Sequence, residues 1–325
     1  MTAPAMGVAV VSYNTVGLLR RCLATVLADT TGPVLVVDNQ SRDGSPDMVR
    51  REFPGVRLRA EQDNRGYGAA ANLAVAELDT AYVLLLNADT ELTRGAVEAL
   101  ASYLDGHPRV AVAGPRIVGA AGGYEPSGHR FPTPLSLLLT SRWWPGPQAR
   151  QAPARAAGRA SGVRGVIERY VRRSEWRPRP VDWVLGAALA IRKEAFQAVG
   201  GFDEAYFLYQ EEIDLSFRLK AAGWEIHYAP VATVLHVGGA STSQQAARTF
   251  AQWVRSTNRF SRHRFSGPKA AGVHGVLAGV LLGRIARERI RLAWTREPSR
   301  AEPIRERIAA WRRGLEVLGE ARRES

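Results

Sequence analysis

The chain has 325 residues, 46% hydrophobic and 23% charged, proportions that exclude wholesale disorder and a coiled coil and leave room for one large domain or two smaller ones. Its formal net charge of +13 is unevenly spread, with 9 basic against 2 acidic residues over 150–180 and 17 against 7 over 255–325, patches that attract anionic surfaces or diphosphates. The single cysteine, Cys22, excludes an internal disulfide and a thiolate zinc site, and the first residues lack the basic and apolar regions of a secretory signal, so a reducing cytoplasmic setting is expected.

In chain order, the apolar run 7–12 predicts a buried parallel strand that opens into Ser12, Tyr13 and Asn14. Leu18, Leu19, Leu23, Val26 and Leu27 fall at helical spacing over 16–27, and 34–37 is a second apolar strand running into Asp38 and Asn39. A third short strand, 56–59, precedes a helix over 69–78, and a fourth, 81–86, ends at Asn87, Ala88 and Asp89. Alternating strands and helices predict the α/β class with a doubly wound, mostly parallel sheet. Ligands in such sheets sit beyond the carboxyl ends of the strands, where the three polar clusters lie.

Residues 145–180, rich in Pro, Gly, Ala and Arg, read as a basic flexible insert. Order returns over 181–191, followed by a helix through 196–199 that Gly200 and Gly201 terminate. A helix over 211–222 and a strand over 225–229 follow, and 230–239 completes the ordered core. In the tail, 270–283 is apolar but short of the ~20 residues that span a bilayer. Ile304, Ile308, Trp311, Leu315 and Leu318 then recur at helical spacing, with Arg305, Arg307, Arg312 and Arg313 around the rest of the helix. The expected organisation is a catalytic domain over 1–254, carrying the insert, and a basic helical extension over 255–325. The apolar side of that extension has three candidate covers: an anionic membrane surface, the core, or a second copy in a homodimer.

Several constellations can carry chemistry. Asp89, at a strand end, can hold manganese or magnesium together with phosphate oxygens. Asp38 and Asn39 can bond a ribose hydroxyl or a pyrimidine N–H. Gly66 and Gly68 stand in a G-x-G-x-x-A pattern, but after the third strand of the unit rather than the first, so a nicotinamide site is poorly supported; Asn64 and Asn72 flank it with base-reading amides. Glu211, Glu212 and Asp214 open a predicted helix behind the aromatic run 205–209, a place for a proton acceptor beside a sugar ring. His236 ends an apolar strand before Gly238 and Gly239, suited to a metal or a diphosphate. The basic tail alone would support nucleic-acid binding, and no nucleic-acid partner is expected.

Taken in order, these residues are similar to the inverting glycosyltransferases of family 2. The nucleotide-sugar half is matched by Val-Ser-Tyr-Asn at 11–14, Val-Val-Asp-Asn-Gln-Ser-Arg-Asp-Gly-Ser at 36–45, Asn-Arg-Gly-Tyr-Gly-Ala-Ala-Ala-Asn at 64–72 and Leu-Leu-Asn-Ala-Asp-Thr at 85–90. The acceptor half is matched by Val-Asp-Trp-Val-Leu-Gly-Ala at 181–187, Gly-Gly-Phe-Asp-Glu at 200–204, Tyr-Gln-Glu-Glu-Ile-Asp-Leu at 209–215, Ala-Gly-Trp at 222–224 and His-Val-Gly-Gly-Ala-Ser at 236–241. The resemblance implies a GT-A fold and, by similarity to rhamnosyltransferases, transfer of a sugar from dTDP-L-rhamnose or another dTDP- or UDP-sugar to a lipid-linked or saccharide acceptor, for cell-surface polysaccharide at the inner face of the membrane. It also implies a nucleotide-sugar site drawn from Ser12, Tyr13, Asn14, Asp38, Asn39, Asn64, Gly66, Gly68, Asn72, Asn87 and Asp89. Asp182, Trp183, Gly186 and Ala187 are then expected at the acceptor, Glu212 with Glu211 beside it as the base, and Asp89 with His236 at the metal. The family's Asp-x-Asp stands here as Asn87-Ala88-Asp89, and its Glu-Asp pair as Glu211-Glu212.

Overall fold

Residues 6–133, 175–238 and 246–321 are described by the computed structural model; residues 145–174 of the expected insert, together with Gly239, lie outside the described residues. The chain divides into two units. Among the described residues, the first comprises 6–131, 175–205 and 211–238, and the second comprises 132–133, 206–210 and 246–321.

The first unit starts with β1 (Met6–Ser12), α1 (Val16–Asp29), β2 (Val34–Asp38), α2 (Ser45–Glu52), β3 (Arg57–Ala60), α3 (Tyr67–Glu77) and β4 (Tyr82–Asn87). It continues through β5 (Thr90–Leu92), α4 (Ala96–Asp105), β6 (Val110–Gly119), β7 (Tyr124–Glu125), β8 (Gly128–His129), β9 (Arg179–Val181), β10 (Trp183–Val184) and β11 (Ala188–Arg192). It closes with α5 (Lys193–Ala198), α6 (Glu211–Ala221) and β12 (Glu225–His236). The main sheet runs β3-β2-β1-β4-β11-β6-β12-β5, with β7 on β6 and β9 on β12. Strands β3, β2, β1 and β4 are parallel, whereas β11 lies antiparallel between β4 and β6, Ala190 facing Leu84 on one side and Ala113 on the other.

Every residue of β1 is buried because both faces of the sheet are covered. Val8 and Val10 join one apolar cluster with Leu19 and Leu23 of α1, Met48 of α2 and Leu100 of α4. Their neighbours Ala9 and Val11 join another with Ala71 and Ala74 of α3, Phe196 of α5 and Leu219 of α6. This is the expected doubly wound arrangement. The polar ends of β1, β2 and β4 fall on one edge, since the three strands run the same way.

Two features differ from the sequence expectation. Residues 181–191, read as one ordered stretch, form three short strands in three different pairings. The long strand β6 carries Gly114 and Pro115, residues that argue against a central strand. Gly114 is required there: a Cβ would stand 2.6 Å from Val184 Cβ. Pro115 has no N–H to give, and β12 bulges past it, pairing Tyr228 with Gly114 and then Thr233 with Arg116.

The second unit contains α7 (Ala246–Arg264), α8 (Gly267–Trp294) and α9 (Pro298–Ala321). Phe250 and Val254 of α7, Val273, Leu277, Leu281 and Ile285 of α8, and Ile304, Ile308, Trp311 and Leu318 of α9 form one buried cluster. The apolar stripe of α9 expected from the sequence is therefore covered by neighbouring helices of its own unit. Helix α8 keeps a second, exposed apolar side, with Leu282 57%, Ile290 63% and Trp294 85% exposed. Segment 206–210 is fastened to α7: Ser256 Oγ donates to Leu208 O at 2.8 Å and Gln210 Nε2 to Thr257 Oγ1 at 3.2 Å.

Candidate active site

Four loops at the open edge of the first unit are stitched together by their own polar side chains. After β1, Asn14 takes a left-handed conformation (φ 50°); its N–H donates to Ser41 Oγ at 2.8 Å and its Oδ1 accepts from the Arg42 N–H at 2.8 Å. Ser12 is buried, its hydroxyl 3.3 Å from that of Thr15. Asp43 accepts from the first N–H groups of two helices, Val16 at 2.7 Å and Ser45 at 3.0 Å, which fixes α1 against α2. Asn39 donates to Asn64 Oδ1 at 2.9 Å and to Gly66 O at 3.0 Å, holding the loop ahead of α3 against the end of β2.

Within this frame two acceptor atoms have no protein partner. Asp38 is 1% exposed; its Oδ1 accepts from the Ser41 N–H at 2.8 Å and its Oδ2 is buried and unsatisfied. Burial raises its pKa above the ordinary carboxylate value. Asn87 Oδ1, at the end of β4, is likewise buried without a partner. An unsatisfied buried acceptor costs about 1–3 kcal/mol, a cost that a bound donor group would remove.

Asp89 and His236 meet across the β5–β12 pairing, with His236 Nε2 3.6 Å from Asp89 Oδ1. On its other side, His236 Nδ1 is 3.3 Å from Glu125 Oε2. Among the described residues no cluster of three His, Cys, Asp or Glu side chains has metal-binding geometry.

Glu211 and Glu212 open α6. Glu211 is 5% exposed with Oε2 unsatisfied, and burial followed by the charge of Glu212 pushes its carboxyl well above the ordinary range. Glu212 packs beside the backbone of Gly186, where a Cβ would come 3.7 Å from its carboxyl carbon. The Tyr67 hydroxyl donates to Gly186 O at 3.2 Å. Its pKa is raised by burial and then by Glu211, Glu212 and Asp89, so three carboxylates converge electrostatically on one hydroxyl. Tyr67 stands inside the Asn-Arg-Gly-Tyr-Gly motif, and nothing in its spacing marked it as a site residue.

Other expected site residues do structural work. Asn72 Oδ1 accepts from the Phe202 N–H at 2.8 Å and its Nδ2 donates to Phe202 O at 3.0 Å, tying α3 to the 200–204 loop instead of lining the nucleoside edge. Gly68 packs 3.2 Å from Phe202 Cβ, measured from its would-be Cβ. Asp182 accepts from Lys220 Nζ at 2.6 Å and from the Phe131 N–H at 3.0 Å, which holds it below the usual carboxylate range despite partial desolvation. Trp183 stacks on His129 and donates to Arg130 O at 2.9 Å. The Ala187 carbonyl accepts from the Asn87 N–H at 3.0 Å, joining the two halves of the site. Tyr13 lies at the same edge, half-buried.

Comparison with known proteins agrees with this layout. The family model "Glycosyl transferase family 2" matches residues 7–166, and "Glycosyl transferase family group 2" matches residues 167–295. The chain belongs to glycosyltransferase family 2. It is 33% identical, over 84% of this chain and 89% of the relative, to N-acetylglucosaminyl-diphospho-decaprenol L-rhamnosyltransferase of Mycobacterium tuberculosis. It is 36% identical to rhamnosyltransferase WbbL of Escherichia coli over 25% of this chain and 30% of that protein. Among solved structures, it resembles the mannosyltransferase PcManGT of Pyrobaculum calidifontis in complex with GDP-Man and Mn2+. That match has a TM-score of 0.53 and 17% identity and covers 97% of this chain and 88% of that one. It also resembles GalNAc-T7 with UDP, GalNAc and Mn2+, at a TM-score of 0.54 and 15% identity, covering 82% of this chain and about half (52%) of that structure. The fold is the expected GT-A type, and the glycosyltransferase is an enzyme of the hexosyl-transferring class.

Proposed function

We propose that this glycosyltransferase moves L-rhamnose from dTDP-L-rhamnose to a hydroxyl of a lipid-linked saccharide, with inversion at the anomeric carbon. The observation that carries the chemistry is the convergence of Glu211, Glu212 and Asp89 on the Tyr67 hydroxyl, which gathers a base and a metal-binding carboxylate into one pocket. The donor and acceptor follow the printed activity of the Mycobacterium tuberculosis relative, which matches 84% of this chain.

In this reading Asp38 Oδ2 accepts the pyrimidine N–H or a ribose hydroxyl, and Asn87 Oδ1 takes a second donor from the nucleotide sugar; both atoms are buried and otherwise unsatisfied. Glu211 stays protonated, because a second charge beside Glu212 in a buried site is costly, so Glu212 is the carboxylate that accepts a proton. An acceptor hydroxyl oxygen attacks the anomeric carbon as Glu212 takes its proton. The bond from that carbon to the diphosphate oxygen breaks, and the electron pair leaves with the nucleoside diphosphate.

Asp89 and His236 fit a divalent cation: their facing atoms, 3.6 Å apart, can share one ion whose remaining positions go to diphosphate oxygens and water. When bound, manganese or magnesium neutralises the charge that develops on the leaving diphosphate.

We assign membrane attachment to α8. Leu282, Ile290 and Trp294 are exposed on it, Arg287 and Arg289 are exposed nearby, and the helix has an 18-residue window apolar enough for a bilayer by composition. Its length and exposed side suit the inner face of an anionic membrane, where a lipid-linked acceptor is presented.

Turnover of dTDP-L-rhamnose against UDP- and other dTDP-sugars, with a short-chain N-acetylglucosaminyl-diphospholipid as acceptor, tests the substrate reading. Turnover with dTDP-L-rhamnose at least tenfold above the others supports it, and a preference for a UDP-sugar replaces the donor. Flotation with anionic vesicles tests α8: a Leu282→Ser, Ile290→Ser, Trp294→Ser variant should remain in the dense fraction while the parent floats.

A further inference from the structure

His236 is held from both sides by carboxylates. Its Nδ1 lies 3.3 Å from Glu125 Oε2 and its Nε2 lies 3.6 Å from Asp89 Oδ1, with the imidazole 11% exposed. The two carboxylates reach it by different routes. Asp89 immediately precedes β5, whose Thr90 pairs with His236 in the sheet. Glu125 comes from β7, which folds back on β6 through a turn containing Gly122 at φ 76° and pairs Glu125 with Ile117. Glu125 is thus 111 residues from His236 in sequence, and only the β6–β7 hairpin brings them together.

A neutral imidazole carries one N–H, so it can donate to only one of these carboxylates. Whichever nitrogen keeps the proton, the other presents a lone pair. Glu125 lies within hydrogen-bond distance, whereas the contact to Asp89 is longer than a hydrogen bond. The proton therefore belongs on Nδ1, and the Nε2 lone pair and Asp89 Oδ1 face each other. Two electron-rich atoms left facing in this way suit a shared cation, and a carboxylate behind a ligating histidine fixes both its tautomer and the angle of its ring.

We propose that Glu125 is a positioning residue for the transfer reaction: it accepts the Nδ1 proton of His236 and so keeps Nε2 unprotonated and aimed at the leaving diphosphate beside Asp89. Glu125 touches neither donor nor acceptor in this role. The inference rests on the proposed place of Asp89 and His236 at the diphosphate, and its first readout does not depend on that place.

That readout is the tautomer of His236 in the metal-free protein, observed by long-range 1H–15N correlation on histidine-labelled enzyme at neutral pH, with His236→Gln used for assignment. The parent should show the Nδ1–H form. Glu125→Gln, whose side-chain carbonyl still accepts, should keep it, and Glu125→Leu should move the proton to Nε2. An Nε2–H form or a doubly protonated ring in the parent overturns the proposal, as does an unchanged spectrum in Glu125→Leu with an unchanged melting temperature. The second readout is calorimetric binding of dTDP with and without Mn2+. Glu125→Leu should lose ~10- to 100-fold of the Mn2+-supported affinity and leave metal-free binding unchanged, with Glu125→Gln close to the parent. If the parent itself shows no Mn2+ enhancement, the metal reading fails while the tautomer result still decides the role of Glu125. If Glu125→Leu does not fold, the tautomer of the folded parent still decides, because an Nε2–H form there rejects the proposal.

Discussion

Thr257 on α7 accepts a hydrogen bond from Gln210 Nε2 at 3.2 Å, one residue ahead of Glu211 in the chain. Tyr209 and Gln210 both hold left-handed backbone conformations, φ 68° and 70°, which non-glycine residues adopt at a cost. The amide of Gln210 is buried and its Oε1 is already unsatisfied. Thr257→Val keeps the shape and removes the acceptor, so the protein should lose about 1–3 kcal/mol of stability. Turnover should fall while nucleotide affinity holds, because the change reaches the chain entering Glu211 and leaves the ends of β1 and β2 untouched. Thr257→Ser should restore both; chemical denaturation and steady-state kinetics measure the pair.

Glu212→Gln removes the proton acceptor beside Gly186 and preserves its volume. Turnover should drop by ~10²- to 10⁴-fold with dTDP affinity unchanged. Glu211→Gln, which replaces a protonated carboxyl by a neutral amide, should cost far less. The opposite ranking would move the base to Glu211.

The same pair sets a pH dependence of stability. Burial and the neighbouring Glu212 raise the Glu211 pKa in the folded protein, whereas the unfolded chain titrates near the ordinary value of about 4.3. Between those two values the folded state keeps a proton that the unfolded state releases, so stability is greatest below about pH 4.3 and is lost as pH rises through the folded pKa. Glu211→Gln abolishes this loss. Its melting temperature should match the parent at pH 4 and exceed it progressively towards pH 8.

For Asp89→Ala, calorimetry should show dTDP binding that no longer responds to manganese, since one of the two facing groups is gone. Undiminished parent activity in EDTA would remove the metal from the reaction.

Gly201 sits at φ 69°, and a Cβ there would stand 2.6 Å from Asn72 Oδ1, the atom that accepts from the Phe202 N–H. Gly201→Ala should cost about 1–3 kcal/mol in thermal unfolding through backbone strain alone. Asn72→Ala, which clears that clash, should recover part of the loss when combined with it.

The nucleotide half was legible in the sequence because its signals are local. Continuous apolar runs ended in Ser12, Asp38 and Asn87, and parallel strands necessarily place such ends on one edge. The other half was not. Strand β11 forms a long-range antiparallel pairing of Ala188–Arg192 with β4 and β6, which periodicity cannot announce. Gly114 and Pro115 disguised β6 as a loop. Asn72 and Asp182 carried the right chemistry for a ligand, and only the coordinates show their polar atoms engaged by Phe202 and by Lys220 with Phe131. Tyr67 and Glu125 were hidden because their partners, Gly186 and His236, are more than a hundred residues away.

The bulge opposite Pro115 gives the central sheet a seam. Strands β6 and β12 are paired from Val110 to Gly114 and again from Arg116 to Gly119, and the break isolates the second stretch, which ends in His236, from the first. Each stretch can open without unzipping the other, as cooperative units do in native-state amide exchange. Deuterium should enter the amides of Thr233–His236 sooner than those of Ile226–Tyr228. The groups that meet the diphosphate would then ride on a separately yielding flap of an otherwise rigid sheet, so the product could be let go at the small cost of loosening four residues.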